Sequence, residues 1–406
     1  MSEERKIKLP AELLSLQPQE EALEVMVQPS KIYIGVPRER HFQENRISLT
    51  PEAVSLLVNR GSRVVVETKA GDAAHIYDTD YSEAGAEIAY SPEDVFKADI
   101  ILKAAPPHEE EIEMMTHNQV LMSPIHLPTV KEESLQKLMR KKVTALAFEY
   151  IKDGDESFPI VRSMSEIAGS ASILLAAEFL SNLQHGKGIL LGGITGVPPA
   201  NVVILGAGTV GEYAAQAAIG LGAEVRVFDR SIYKLKRIQR NLGKRVYTSV
   251  LREDTLRDEL RNADVAIGAI HSKSGRTPLI VSEEMVAQMK AGSVIIDVSI
   301  DQGGCFETSE VTSHSKPSFK KYDVIHYCVP NIPSKVPRTA SAAISNVLTP
   351  ILRDAAKSGG FDKLLFSDPP LRNGVYIYKG SLTNRHLAEK FKLKFTDLDL
   401  LFAAAM

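Results

Sequence analysis

Cysteine is scarce in this chain, with Cys305 and Cys328 the whole complement of 406 residues. Two thiols cannot build a disulfide framework, and neither CxxC nor a Cys/His spacing suited to zinc is present. A reducing cytoplasm and no metal centre are therefore expected. An excess of either charge is also missing: 48 Lys plus Arg stand against 51 Asp plus Glu, a formal charge of −3. No bulk basicity points to nucleic acid or to an anionic membrane, so the expected partner is a small molecule. No continuous stretch of about twenty apolar residues is evident, and no membrane-spanning helix is expected. The segment 1–30 opens on Ser2-Glu3-Glu4-Arg5-Lys6 and lacks the apolar core of a secretion signal. It reads as an N-terminal extension, a loose arm with Leu13, Leu14 and Leu16 on a short amphipathic helix between Pro10 and Pro18. Fixed-period repeats and low-complexity tracts are absent.

What the chain does contain is enough apolar residue, 44% of the total, for two domains with separate cores. From Lys31, alternation at Ile32, Ile34 and Val36 predicts a strand, and a polar loop follows from Arg38 to Arg46. Thr50-Pro51-Glu52 then supplies a capping hydroxyl, a first-turn proline and an acid ahead of Val54, Leu56 and Leu57, which predicts a helix up to Gly61. Val64–Val66, Ile100–Leu102, Val120–Met122 and Val143–Leu146 predict further buried strands, with a helix from Glu132 to Met139 between two of them. An Ala-rich apolar stretch from Ser165 to Leu183 predicts a buried helix joining the domains. After it a second strand series begins at Val202–Leu205, Val225–Phe228, Ala266–Ile270 and Val294–Val298. Past Pro337, apolar residues from Ala340 to Ile351 at helical spacing return the chain to the first unit. Strands alternating with helices imply α/β architecture with mostly parallel sheets. The expectation is two doubly wound domains: 160–337 inserted into a discontinuous domain made of 31–159 and 338–406.

Between Val202–Leu205 and an Ala-rich helix lies Gly206-Ala207-Gly208-Thr209-Val210-Gly211. Three glycines at this spacing carry little weight alone, but here they leave a buried strand, open a helix, and precede an acid, Asp229, at the tip of the next strand. Gly206 suits the tight turn, Gly208 lets the backbone approach a pyrophosphate, and Gly211 lets helix and strand pack closely. The free N–H groups at Thr209 and Val210 then face a diphosphate, assisted by the helix dipole. Asp229 is suited to accept from ribose hydroxyls and to repel a 2′-phosphate, which favours NAD; Arg230 beside it could instead accommodate that phosphate. Ala269 and Ile270, at the end of their strand, belong to the same expected cofactor site.

Gly35-Val36-Pro37-Arg38-Glu39, Asn45-Arg46, His126-Leu127, Met164-Ser165-Glu166-Ile167-Ala168-Gly169, the glycine loop, Ile300-Asp301-Gln302-Gly303-Gly304-Cys305-Phe306-Glu307 and Tyr327-Cys328-Val329-Pro330-Asn331 occur in order along the chain. Through them, from Lys31 to about Asp397, the chain resembles the alanine dehydrogenase family. It resembles more distantly the nucleotide-binding subunit of nicotinamide nucleotide transhydrogenase. The resemblance implies NAD-dependent deamination of a small L-amino acid, L-alanine first, to a 2-oxo acid and ammonia, in a homo-oligomer, a hexamer. It assigns Arg46 to the substrate carboxylate, His126 to proton transfer and substrate contact, and Asp301 to orienting the imidazole or the reacting groups. It assigns Ser165, Asn331 and Asp301 to the cofactor, with Met164 as an apolar neighbour. Each has a plainer reading beside it: a solvated loop arginine, a strand-end histidine, a turn aspartate before two glycines.

One segment departs from the family. Where the family has Lys-x-Lys-Glu-Pro, this chain reads Lys103-Ala104-Ala105-Pro106-Pro107, so Ala105 stands at the position of the substrate-contacting lysine. Lys103 lies two residues earlier on the same strand face and is expected either to reach the substrate or to serve structure by pairing with a carboxylate. His271 stands where the family has an aliphatic residue. Two further readings follow from the departure: a transhydrogenase-like subunit passing hydride to a nucleotide on a partner, and a non-catalytic NAD-binding protein.

Overall fold

The structure, a computed structural model, describes residues 31–127, 129–181, 186–272 and 275–403. The expected arm at 1–30 lies outside the described residues. Two sheets organise the rest. The first takes its strands from both ends of the chain: β1 (Tyr33–Val36), β2 (Arg63–Glu67), β3 (Glu87–Ala89), β4 (Ile100–Leu102), β5 (Val120–Ser123), β6 (Thr144–Ala147), then β14 (Val375–Tyr378) and β15 (Ser381–Leu382). The second is built from β7 (Asn201–Leu205), β8 (Glu224–Asp229), β9 (Tyr247–Val250), β10 (Val265–Gly268), β11 (Val294–Asp297), β12 (Ser318–Lys321) and β13 (Val324–Tyr327).

The eight-stranded sheet runs β15-β14-β6-β5-β4-β1-β2-β3, and the seven-stranded sheet β12-β13-β11-β10-β7-β8-β9. Pairing is parallel except at one edge of each, where β14, β15 and β12 run antiparallel. Both sheets are buried on two faces, which requires apolar side chains at successive positions. In β4, Ile100 and Leu102 enter one core while Ile101 enters the opposite one. In β7, Val202 and Ile204 face one core, Val203 and Leu205 the other.

Two long helices link the sheets. Helix Pro159–Leu180 starts at a first-turn proline, six residues before the expected Ser165. Its Ile160 belongs to the first sheet's core, whereas Ala168 to Leu180 pack in the second. Its length of 22 residues and a mean hydropathy of 1.3 in its most apolar window would by composition alone allow it to cross a membrane. Gly169 and its neighbours instead lie against helix Thr209–Gly220; a Cβ at Gly169 would come within 2.4 Å of the Val210 carbonyl oxygen. Helix Pro337–Lys357 returns the chain and buries Ile344, Leu348 and Leu352 in the first core. Its Ser341 and Ser345 hydroxyls accept from the Ile47 and Thr50 amides, at 2.9 and 3.1 Å, which fixes the segment that follows Arg46.

In each sheet the strand order reverses direction at one place, between β1 and β4 in the first and between β7 and β10 in the second. Loops leaving the carboxyl ends of adjacent strands diverge at such switch points and open a crevice. The loops after β1, β4 and β5 carry Arg46, Lys103 and His126; those after β7, β10, β11 and β13 carry the glycine motif, Ile270, Asp301 and Asn331.

Candidate active site

The glycine loop has the geometry a dinucleotide needs. Gly206 adopts φ +111°, and a Cβ there would lie 2.3 Å from the Ala269 carbonyl oxygen; a Cβ at Gly211 would lie 1.8 Å from that of Gly206. Neither position tolerates a side chain. A Cβ at Gly208 meets nothing within 4 Å, so this glycine leaves an open approach to the start of helix Thr209–Gly220. Asp229, buried at the tip of β8, accepts from the amides of Ala207 (2.8 Å) and Ser231 (2.7 Å), which joins the acid to the glycine loop. Arg230 is exposed beside it. On the other side of the switch point the Ile270 amide donates to Ser299 Oγ at 2.9 Å. These residues fit NAD: a tight turn, an unobstructed loop backbone, a helix start and an acid at the next strand tip.

Arg46 is buried, and its guanidinium is gripped by Glu44. Nε donates to Glu44 Oε1 at 2.7 Å and Nη2 to Oε2 at 2.5 Å, while Nη1 points at Met164 Sδ, 3.4 Å away. Burial pushes the Glu44 carboxyl up, but the Arg46 contacts outweigh it and the group stays below its usual range. Glu44 Oε2 also accepts from Asn331 Nδ2 at 3.1 Å. The neighbouring Asn45 amide donates to Ser334 Oγ at 2.8 Å, so the β1 loop is tied to the segment after β13.

His126 has φ +49°, an uncommon left-handed conformation for a residue with a Cβ. Glu149 holds it: one oxygen accepts from the amides of Ile125 (2.8 Å) and His126 (3.2 Å). Burial raises the Glu149 carboxyl. Packing within the cleft, then the Arg46 charge, hold the His126 imidazole below its usual range, although part of the ring remains open to solvent. Asp301 likewise keeps an open side, and its enclosure raises the carboxyl while Arg46 opposes the rise. Its Oδ1 accepts from the Asn331 amide at 3.2 Å. The loop presenting Asp301 is folded around buried Asp297, which accepts from the amides of Ser299 (3.1 Å) and Cys305 (2.9 Å) and from Ser309 Oγ (2.7 Å).

Arg46, Met164, Asp301 and Asn331 thus converge, with His126 close enough to Arg46 to feel its charge. Ser165 is half-buried one residue beyond Met164 on the linking helix. Lys103 is placed differently. It has no exposed surface, and its ammonium donates to Glu39 Oε2 at 2.8 Å and Glu111 Oε1 at 2.9 Å. The geometry is that of the carboxylate-paired structural role, and no face of the ammonium opens to solvent. Burial lowers its tendency to stay charged, but the two carboxylates more than offset that. Ala105 is buried at 2% exposure. His271 is exposed, with burial of part of its ring and the Lys234 charge holding the imidazole down. Sequence reasoning missed Glu44 and Glu149, which hold the two principal residues. Glu44, two positions before Arg46 in the same loop, was the more findable of the two.

Comparison with known proteins identifies chains similar to this one over most of its length. The family described as alanine dehydrogenase/PNT, N-terminal domain, matches residues 35–168, and alanine dehydrogenase/PNT, C-terminal domain, matches residues 172–385. Alanine dehydrogenase 2 of Staphylococcus aureus (strain USA300) is 40% identical over 367 residues, 90% of this chain and 98% of that protein. A solved L-alanine dehydrogenase superposes with a TM-score of 0.83 at 38% identity, covering 88% of this chain and 99% of the other. A transhydrogenase from Sinorhizobium meliloti shares the fold, with a TM-score of 0.74 at 23% identity over 87% of this chain and 99% of that one.

Proposed function

This chain belongs to the alanine dehydrogenase/PNT family, and from that premise we propose that it oxidatively deaminates L-alanine, or a similar small L-amino acid, to the 2-oxo acid and ammonia with NAD, and runs the reverse reductive amination. The observation that carries the reading is the meeting of Arg46, Asp301 and Asn331 beside His126, at the switch points of both sheets. Segments 31–159 and 338–406 form the substrate domain, and 160–337 the cofactor domain.

Gly206, Gly208, Thr209, Val210, Gly211, Asp229, Arg230, Ala269 and Ile270 hold the dinucleotide, with Ser165, Asp301 and Asn331 at its nicotinamide end. Bound there, NAD supplies the acceptor for the hydride from the substrate α-carbon. Arg46, with its Nε/Nη2 fork engaged by Glu44, offers the substrate carboxylate the Nη1 N–H groups for a charge-assisted hydrogen bond. Loss of hydride from the neutral amine leaves an iminium ion; water adds to its carbon as its proton passes to a base, and that proton returns to the nitrogen as ammonia departs. Removing the water proton is the work of an imidazole nitrogen of His126, held neutral by its surroundings and so able to accept. Asp301 orients the amine and the water. Met164 lines the slot beside Arg46 as an apolar neighbour.

The test is NADH formation across small L-amino acids. L-Alanine is expected to be the best substrate, and His126→Gln to lower turnover by roughly 10²- to 10⁴-fold with NAD binding intact. A native chain that binds NAD but turns over no amino acid overturns the reading. We further propose a hexamer located in the cytoplasm; sedimentation as a monomer contradicts the first and fractionation outside the cytoplasm the second.

A further inference from the structure

Beside the cleft, under the loop that carries His126, lies a cavity of about 210 Å³ that the proposed reaction does not use. Its walls come from the segment after β4, the loop after β5, the first turns of helix Glu132–Arg140 and strand β14. Tyr376 of β14 lines it. This side chain is 3% exposed, and no hydrogen bond ties its hydroxyl to another described residue. The polar end of the phenol is therefore left for a group inside the cavity to accept from. Burial and the charge of Glu149 keep that hydroxyl protonated, so it is a donor.

The rest of the lining combines imidazole, hydroxyl and apolar groups with one acid at the rim. His41 and His108 stack with centroids 5.4 Å apart, Ser134 adds a hydroxyl, and Ile112 and Leu138 supply apolar wall. The acid at the rim, Glu109, is engaged by Lys131 at 3.6 Å and Lys137 at 3.4 Å, which cancels its charge locally. Hydroxyl and imidazole groups face an otherwise apolar space. We propose that this cavity is a second ligand site, distinct from the substrate cleft, for a small carboxylic acid with an aliphatic body, whose carboxylate accepts from Tyr376 Oη.

Occupancy bears on His126 through the backbone. Cavity-lining Ile125 and Thr129 flank it: the Thr129 amide and hydroxyl donate to the His126 carbonyl at 2.9 and 3.2 Å, and Glu149 accepts from the Ile125 and His126 amides. A ligand against these residues stiffens the left-handed turn that presents the imidazole. The effect on turnover rests on the proposed role of His126; the binding does not.

The experiment uses the full chain with 3-methylbutanoate as probe, followed by calorimetry and by saturation-transfer NMR. Saturable binding that saturating L-alanine leaves in place is expected. Tyr376→Phe, which preserves shape, is expected to weaken it by roughly three- to tenfold, as loss of one hydrogen bond does. Ser134→Phe, which fills the cavity from a half-buried position, is expected to abolish it while L-alanine turnover without probe stays within about twofold of native. Absence of saturable binding, displacement by L-alanine, or equal binding by Ser134→Phe each overturns the site. At saturation the probe is also expected to change kcat of the native chain and not of Ser134→Phe; binding without any such change removes the link to His126 and leaves the site.

Discussion

The carboxylate of Glu44 holds the Arg46 guanidinium along one edge, through Nε and Nη2, and at the same time takes Nδ2 of Asn331 from the segment after β13. One side chain therefore sets the angle of the arginine proposed to hold the substrate and ties the two sides of the cleft together. The arrangement leaves Nη1, in contact only with the weak acceptor Met164 Sδ, as the free edge.

Glu44→Gln is expected to raise KM for L-alanine by about tenfold or more, with a smaller fall in kcat, because charge-assisted hydrogen bonds are worth roughly 1.5–3 kcal/mol each. Steady-state kinetics check this. A lower KM would instead mean that Glu44 competes with the substrate carboxylate.

The pH dependence follows from the His126 environment. A base acts when neutral, and burial with the Arg46 charge holds this imidazole below its ordinary value of 6.5. For deamination, the limb of kcat/KM that reports His126 is expected to rise with pH with an inflection under 6.5, below a separate limb from the substrate ammonium. His41 pushes the imidazole down and Glu44 pushes it up. Hence His41→Gln is expected to move the inflection to higher pH and Glu44→Gln to lower pH. Profiles that shift the same way in both variants contradict the assignment of that limb to His126.

Cofactor choice is expected to turn on Asp229. Asp229→Ala removes a negative charge and also the acceptor for the Ala207 and Ser231 amides, so it loosens the glycine loop. NAD is expected to bind roughly ten- to a hundredfold more weakly, with the ratio of NADP to NAD use rising. Equal use of both cofactors by the native chain would contradict the role of the acid.

Lys103 gives a stability prediction. Lys103→Met leaves Glu39 and Glu111 facing one another in the interior without their shared cation. Removing one partner of a buried ion pair costs about 3–5 kcal/mol, which denaturant unfolding resolves. Burial already raises the Glu39 carboxyl, and without the ammonium it rises further, so Glu39 becomes neutral on acidification. The loss is therefore expected to be smaller near the acid edge of the stable range than at neutral pH. Equal losses at both would mean that neither carboxylate takes up a proton.

What the chain determined by itself is whatever neighbours along it can encode. Ile100–Leu102 forms β4, Val202–Leu205 lies within β7, and the glycine loop leads into helix Thr209–Gly220, because apolar runs and turn chemistry act over a few residues. The short edge strands β12 and β15 carry no such run and exist because a neighbouring strand offers them hydrogen bonds. Partner choice in the site is of the second kind. Asn331 meets Glu44 from 287 positions away, and Lys103 meets Glu39 across 64. Nothing in the local pattern around Lys103 distinguishes a lysine that reaches a ligand from one enclosed between two carboxylates. Only the folding of two sheets with adjacent switch points brings those loops together, and the cost of burying an unpaired charge then decides which side chains must find each other.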